Sequence, residues 1–137
     1  MTDVPERLRR QVRERAHGYC EYCLMPDTVA NLPHEPDHLI AEKHGGSTTF
    51  DNLAWACFFC NRHKGSDIAS IDTQTGRIVE LFNPRKQQWK RHFHLNGPRI
   101  DGITASGRAT AALLQFNLQQ RIGDRLNLIT TGHYPPG

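Results

Sequence analysis

Two sets of residues in this chain are spaced for chemistry: four cysteines in two pairs, and Asp, His and Asn residues between and beside them. The pairs are Cys20-Glu21-Tyr22-Cys23 and Cys57-Phe58-Phe59-Cys60. A C-x-x-C turn points both sulfurs to one side, so two such turns can close a tetrahedral thiolate site around one zinc ion. Such a site keeps no position open for substrate and is structural. The competing readings are two disulfides, four free thiols or a thioredoxin-like redox pair. Disulfides do not suit a chain without a secretory leader, and a redox pair leaves the second knuckle unexplained. A structural Zn²⁺ on Cys20, Cys23, Cys57 and Cys60 is the expectation. The 33 residues between the knuckles exceed the roughly 15–20 of a compact zinc ribbon, so a substantial element should lie inside the loop.

That loop holds Asp37-His38, then Gly45-Gly46, then Asp51-Asn52-Leu53, and leads into Cys57-x-x-Cys60-Asn61-x-x-Lys64-Gly65. Taken in this order, with Cys20-x-x-Cys23 upstream, these elements resemble the HNH endonuclease family. The resemblance implies a ββα-metal site, in which a hairpin and a helix grip one divalent cation, and hydrolysis of DNA phosphodiester bonds. His38 then fits the general base, because imidazole titrates near neutral pH and can take a proton from water. Asp37 offers a hard carboxylate oxygen to Mg²⁺ or Mn²⁺. Asn61 follows the last cysteine and would be the second ligand. Asn52 would hold the site together by hydrogen bonds.

Two details bear on that assignment. Neighbours in a regular strand point to opposite faces, so Asp37 and His38 share a site only where the backbone is irregular, and Pro36 makes irregularity believable. His63 is the alternative to Asn61 as ligand, since residues two apart on a helix do not face the same way. Asn61 shares a face with Lys64, whereas His63 shares one with Cys60 and could brace the knuckle. With His63 as ligand, softer ions become acceptable. Glu35 is an auxiliary candidate, and His44 a candidate phosphate contact; the remaining histidines read as surface or packing residues.

The elements that must position these groups are short. An amphipathic helix is expected over 3–17, capped by Asp3, with Leu8, Val12 and Ala16 as its buried stripe and Gly18 as its stop. Its five arginines read as a solvated face or a phosphate-contacting one. Residues 37–41 and 52–57 read as paired strands, and Asn61 to Lys64 as a short helix ended by Gly65. Ile68 to Leu81 reads as a hairpin around Thr75-Gly76, and Asn96-Gly97 as a second turn. Residues 105–122 read as one helix ended by Gly123. The expected fold is α+β: one small domain whose zinc-stapled ββα-metal core (about 18–66) is flanked by an N-terminal helix and a C-terminal hairpin-plus-helix region (about 67–137).

Length and charge bound the remainder. A chain of 137 residues makes one domain, and none of it approaches the roughly 18 apolar residues of a membrane span. The opening residues lack the apolar core of a leader, so a cytoplasmic location is expected, with no membrane partner. Residues 1–66 hold 8 Lys and Arg against 9 Asp and Glu, residues 67–137 hold 9 against 5, and the total is +3. Lys64, Arg85, Lys86, Lys90 and Arg91, with Trp89 and Phe93 interleaved, are the candidate substrate contacts, able to neutralise phosphates without reading bases. The alternative for this group is a solvated segment whose aromatics enter the core. Arg99 and Arg108 are further candidates. No base-reading module is visible, so a protein partner would supply any sequence specificity. Two other functions stay open: a non-catalytic zinc module binding nucleic acid or protein, and a nuclease acting on RNA.

Overall fold

A computed structural model describes residues 3–137. Helix α1 (Glu6–Arg15) is followed by strand β1 (Glu35–His38), strand β2 (Leu53–Ala56) and helix α2 (Phe58–Lys64). Next come β3 (Ala69–Ile71), β4 (Ile78–Glu80), the short α3 (Trp89–His92), β5 (Phe93–Asn96), β6 (Arg99–Gly102), α4 (Ala105–Leu113) and α5 (Gln119–Thr130). The six strands form three separate antiparallel pairs, β1–β2, β3–β4 and β5–β6. Among the described residues no helix is long and apolar enough to cross a membrane.

Strand β2 organises the first half because its two faces bury different partners. Leu53 and Trp55 pack with Val12, Leu8 and Val4 of the N-terminal region, while Ala54 and Ala56 face the core that contains the four cysteines. Each large apolar side chain sealed in this way contributes about 1.5–3 kcal/mol. The cysteine-centred core also takes Phe82, Phe93, Ile100, Leu114 and Phe116 from the C-terminal half. The knuckles therefore sit where the two halves of the chain meet.

Several boundaries differ from the expectations. Helix α1 is preceded by Pro5 and has no side-chain cap, so Asp3 does not cap it. The helix ends at Arg15 with Ala16 as its C-cap, and His17 (φ 55°) is the first left-handed residue, followed by Gly18 (φ 78°), so Gly18 is not the residue that stops it. Three of the five helix arginines are engaged within the fold, although Arg13 stays exposed while it is paired. Arg9 reaches Glu35 (2.6 Å) and the His34 carbonyl, Arg13 grips Asp27 with two bonds, and Arg15 donates to the carbonyls of Phe50 and Leu53. Helix α2 begins at Phe58, earlier than Asn61, because the Cys57 thiol accepts from the Cys60 amide and caps its first turn.

The helix expected over 105–122 is two helices. The chain breaks after α4 with Gln115 at φ 52°, and Asn117 brackets Ile100 by bonding both its amide (2.9 Å) and its carbonyl (2.8 Å). This turn drives Phe116 into the core and leaves Leu118 exposed. Gly123 lies inside α5 and does not end it.

Candidate metal centre and active site

The four cysteine sulfurs converge to within 4.8 Å of one another, and all four residues are buried. The Cys23 and Cys57 sulfurs are 3.6 Å apart, far beyond a disulfide bond of about 2.05 Å. Zn–S bonds of about 2.3 Å in a tetrahedron place sulfurs roughly 3.8 Å apart, so the spacing suits zinc. In each knuckle the second cysteine's amide donates to the first one's sulfur at 3.4 Å. Burial pushes the Cys20 and Cys60 thiols well up, so four thiolates persist here only around a cation.

A residue from far along the chain completes this centre. Arg121 in α5 is 3% exposed, and its Nη2 lies 3.2 Å from the Cys60 sulfur and 3.7 Å from that of Cys57. Burial would pull its guanidinium down, but the charges of Cys60, Cys23 and Cys57 carry it above its ordinary value.

On β1 the register is regular. Pro36 pairs with Trp55, Asp37 with Ala54 and His38 with Leu53, so Pro36 does not create the irregularity expected from it. Asp37 and His38 consequently serve different neighbourhoods. Asp37 is buried at 4% exposure, where its Oδ2 accepts from the Tyr22 hydroxyl (2.8 Å) and from Lys64 Nζ (3.1 Å). Burial pushes its carboxyl up, against the pull of Lys64 and Tyr22. Lys64, 3% exposed, also donates to the His38 carbonyl at 3.1 Å. It ties the end of α2 to the end of β1, and its ammonium, expected to contact substrate, is engaged inside the fold.

His38 is half-buried and its Nε2 is 2.9 Å from Thr48 Oγ1 in the loop joining the two strands. Asn52 holds that loop. Its amide nitrogen donates to the carbonyls of Ser47 (2.7 Å) and Ile40 (2.9 Å), and its oxygen accepts from the Ile40 amide (3.0 Å). Gly46 is required here, because a Cβ at this position would lie 1.7 Å from the Ile40 carbonyl oxygen. His38, Gly46, Thr48 and Asn52 thus form one connected unit at the mouth of the hairpin. Asn61 and His63 are half-buried on α2, and neither side chain makes a hydrogen bond among the described residues.

The basic segment divides. Arg85 is 15% exposed on its side chain and engages Glu21 and the Leu53 carbonyl, so it braces the first knuckle. Trp89 is partly buried and donates to the Tyr22 carbonyl (2.8 Å), and Phe93 is in the core. Lys86, Lys90 and Arg91 are exposed. Arg108 is bound to Asp72 by two hydrogen bonds and is not a free phosphate contact. Sequence reasoning missed Tyr22, Thr48 and Arg121. Thr48 carried a weak signal, following the Gly-Gly turn, whereas nothing local marks Arg121.

A two-strand, one-helix unit thus sits between two cysteine knuckles, with an imidazole at the hairpin mouth. Residues 20–67 match the family model described as HNH endonuclease, from the first knuckle to just beyond α2. This segment is similar to HNH endonuclease domains over about a third of the chain, and its four cysteines are placed to hold a metal ion. No curated protein and no solved structure matches the chain.

Proposed function

We propose that this protein is a metal-dependent endonuclease of the HNH type that hydrolyses phosphodiester bonds of DNA. The observation that carries this reading is the HNH match over residues 20–67 together with His38 oriented by Thr48 at the hairpin mouth. His38 takes the proton of a water whose oxygen attacks phosphorus. The bond to the 3′ oxygen breaks, that oxygen is protonated from solvent, and the products are a 5′-phosphate and a 3′-hydroxyl. Thr48 and Asn52 hold the imidazole and its loop in place. Zn²⁺ on the four cysteines is structural.

A divalent ion, Mg²⁺ or Mn²⁺, would be held by Asp37 and Asn61. Both offer a hard oxygen donor and the Asn61 amide is free among the described residues, but the Lys64 ammonium faces both Asp37 oxygens, at 3.1 and 3.5 Å, and an ion bound there must displace it. Such an ion supplies charge neutralisation at the phosphate and the departing oxygen. The exposed Lys86, Lys90 and Arg91 neutralise backbone phosphates without reading bases. A cytoplasmic location, and a protein partner supplying sequence specificity, belong to the same reading.

A second reading rests on Lys64. Its ammonium already balances Asp37, which favours a structural carboxylate and a zinc module that binds nucleic acid or protein without cutting. Supercoiled plasmid incubated with Mg²⁺ or Mn²⁺, beside EDTA and His38→Ala controls, separates the two. Nicking that EDTA abolishes and His38→Ala lowers by about 10²–10⁴-fold is expected. Absent nicking, or equal nicking by the variant, overturns the enzyme reading. Labelled RNA in parallel identifies a ribonuclease.

A further inference from the structure

We infer that Arg121 is the counter-ion of the zinc centre, retaining the metal and docking the C-terminal helix against the knuckles. The inference rests on the zinc reading of the cysteine cluster. Four thiolates around one Zn²⁺ leave two formal negative charges in a buried site, and buried charge requires a partner. Backbone amides serve the Cys20 and Cys57 sulfurs, but among the described residues the Cys60 sulfur accepts a hydrogen bond from the Arg121 guanidinium alone, at 3.2 Å. The same guanidinium donates to the carbonyls of Leu114 (2.6 Å) and Gln115 (3.2 Å), where α4 ends and the chain turns through the left-handed Gln115. It lies 5.5 Å from the Phe59 ring centroid and 5.8 Å from that of Phe116, within cation–π range of both rings.

The arrangement joins a metal site built within residues 20–60 to a helix that begins at Gln119. With the metal gone, the Arg121 guanidinium keeps its carbonyl partners but loses its partner at the metal centre, which weakens the docking of α5 on the knuckles. Tyr134 strengthens the same cover, donating to the Cys23 carbonyl at 2.8 Å from the end of the chain. Arg125, one turn further along α5, is an internal comparison. It is equally buried, but its hydrogen bonds go to Pro98, Phe116 and Asn117, and none goes to sulfur.

The test uses the full chain loaded with zinc. Zinc is counted first, with one ion per chain expected; none overturns the zinc reading and this inference together. Transfer of zinc to a chromogenic chelator is then timed for wild type, Arg121→Met, Arg121→Lys and Arg125→Met. Arg121→Met should release zinc at least about tenfold faster, the scale found for residues that hydrogen-bond metal ligands. Arg121→Lys should recover part of the loss, and Arg125→Met should stay near wild type. Cobalt-loaded protein gives a second readout, because losing a charged donor at Cys60 shifts the sulfur-to-cobalt charge-transfer band. Release unchanged in Arg121→Met, or accelerated equally in Arg125→Met, overturns the counter-ion role while leaving zinc binding intact. Should Arg121→Met fail to fold, amide exchange in wild type decides the matter. Stripping zinc should speed exchange in residues 119–130, and unchanged exchange there overturns the inference.

Discussion

Lys64 Nζ and Asp37 Oδ2 are 3.1 Å apart, and both side chains are almost wholly removed from solvent. The pair joins the end of α2 to β1 beneath the strand residue that precedes His38. Removing one member of a buried pair strands the other charge, at a cost of about 3–5 kcal/mol. Lys64→Met should therefore lower stability in urea by about that amount, whereas the double variant Lys64→Met/Asp37→Asn should recover much of it. A measured double-mutant cycle with no coupling would show the pair to be incidental.

Gly46→Ala tests the loop that carries Thr48. The added Cβ meets the Ile40 carbonyl oxygen at 1.7 Å, so the backbone must move and the Asn52 bonds to Ile40 and Ser47 move with it. Zinc content should stay at the wild-type level, because the knuckles lie outside this loop. Plasmid nicking should fall by about 10²-fold, the scale of a displacement near 1 Å in a catalytic group.

Asp72 governs part of the acid stability. Its carboxylate accepts from Arg108 (2.7 and 3.1 Å), the Thr75 hydroxyl (2.7 Å) and the Gln74 amide (3.2 Å), linking the β3–β4 hairpin to α4. Hydrogen bonds from Arg108 and Thr75 hold its carboxyl well below the usual carboxylate range. A group depressed in the folded state contributes stability above its unfolded pKa, near 3.9, and loses that contribution as pH falls further. Thermal melts of wild type should drop steeply below about pH 4, and Asp72→Asn should show a lower plateau with a shallower acid limb.

The basic segment should separate into binding and folding residues. Replacing Lys86, Lys90 and Arg91 by Gln should weaken DNA binding without base preference and flatten its dependence on salt, by a slope of up to about 0.9 per lost phosphate contact. Arg85→Gln should leave that slope alone and lower the melting temperature, because it unpairs Glu21 beside the first knuckle.

Much of this protein was legible locally. Each C-x-x-C turn forms by its own backbone geometry, Thr75-Gly76 and Asn96-Gly97 turn their hairpins, and the order strand, strand, helix follows from residues close in the chain. The HNH segment could be read for the same reason, since its elements recur at short spacing. Tertiary packing alone assigned partners to the charges. Lys64 turned inward to Asp37, Arg85 to Glu21 and Arg121 to Cys60, across 27, 64 and 61 residues. No periodicity encodes such pairings, because a long cationic side chain goes to whichever anion the packed elements bring within reach. The helix break at 114–118 has the same origin. An apolar run alone permits continuation, and it was burial of Phe116 and the clasp of Asn117 on Ile100 that ended α4.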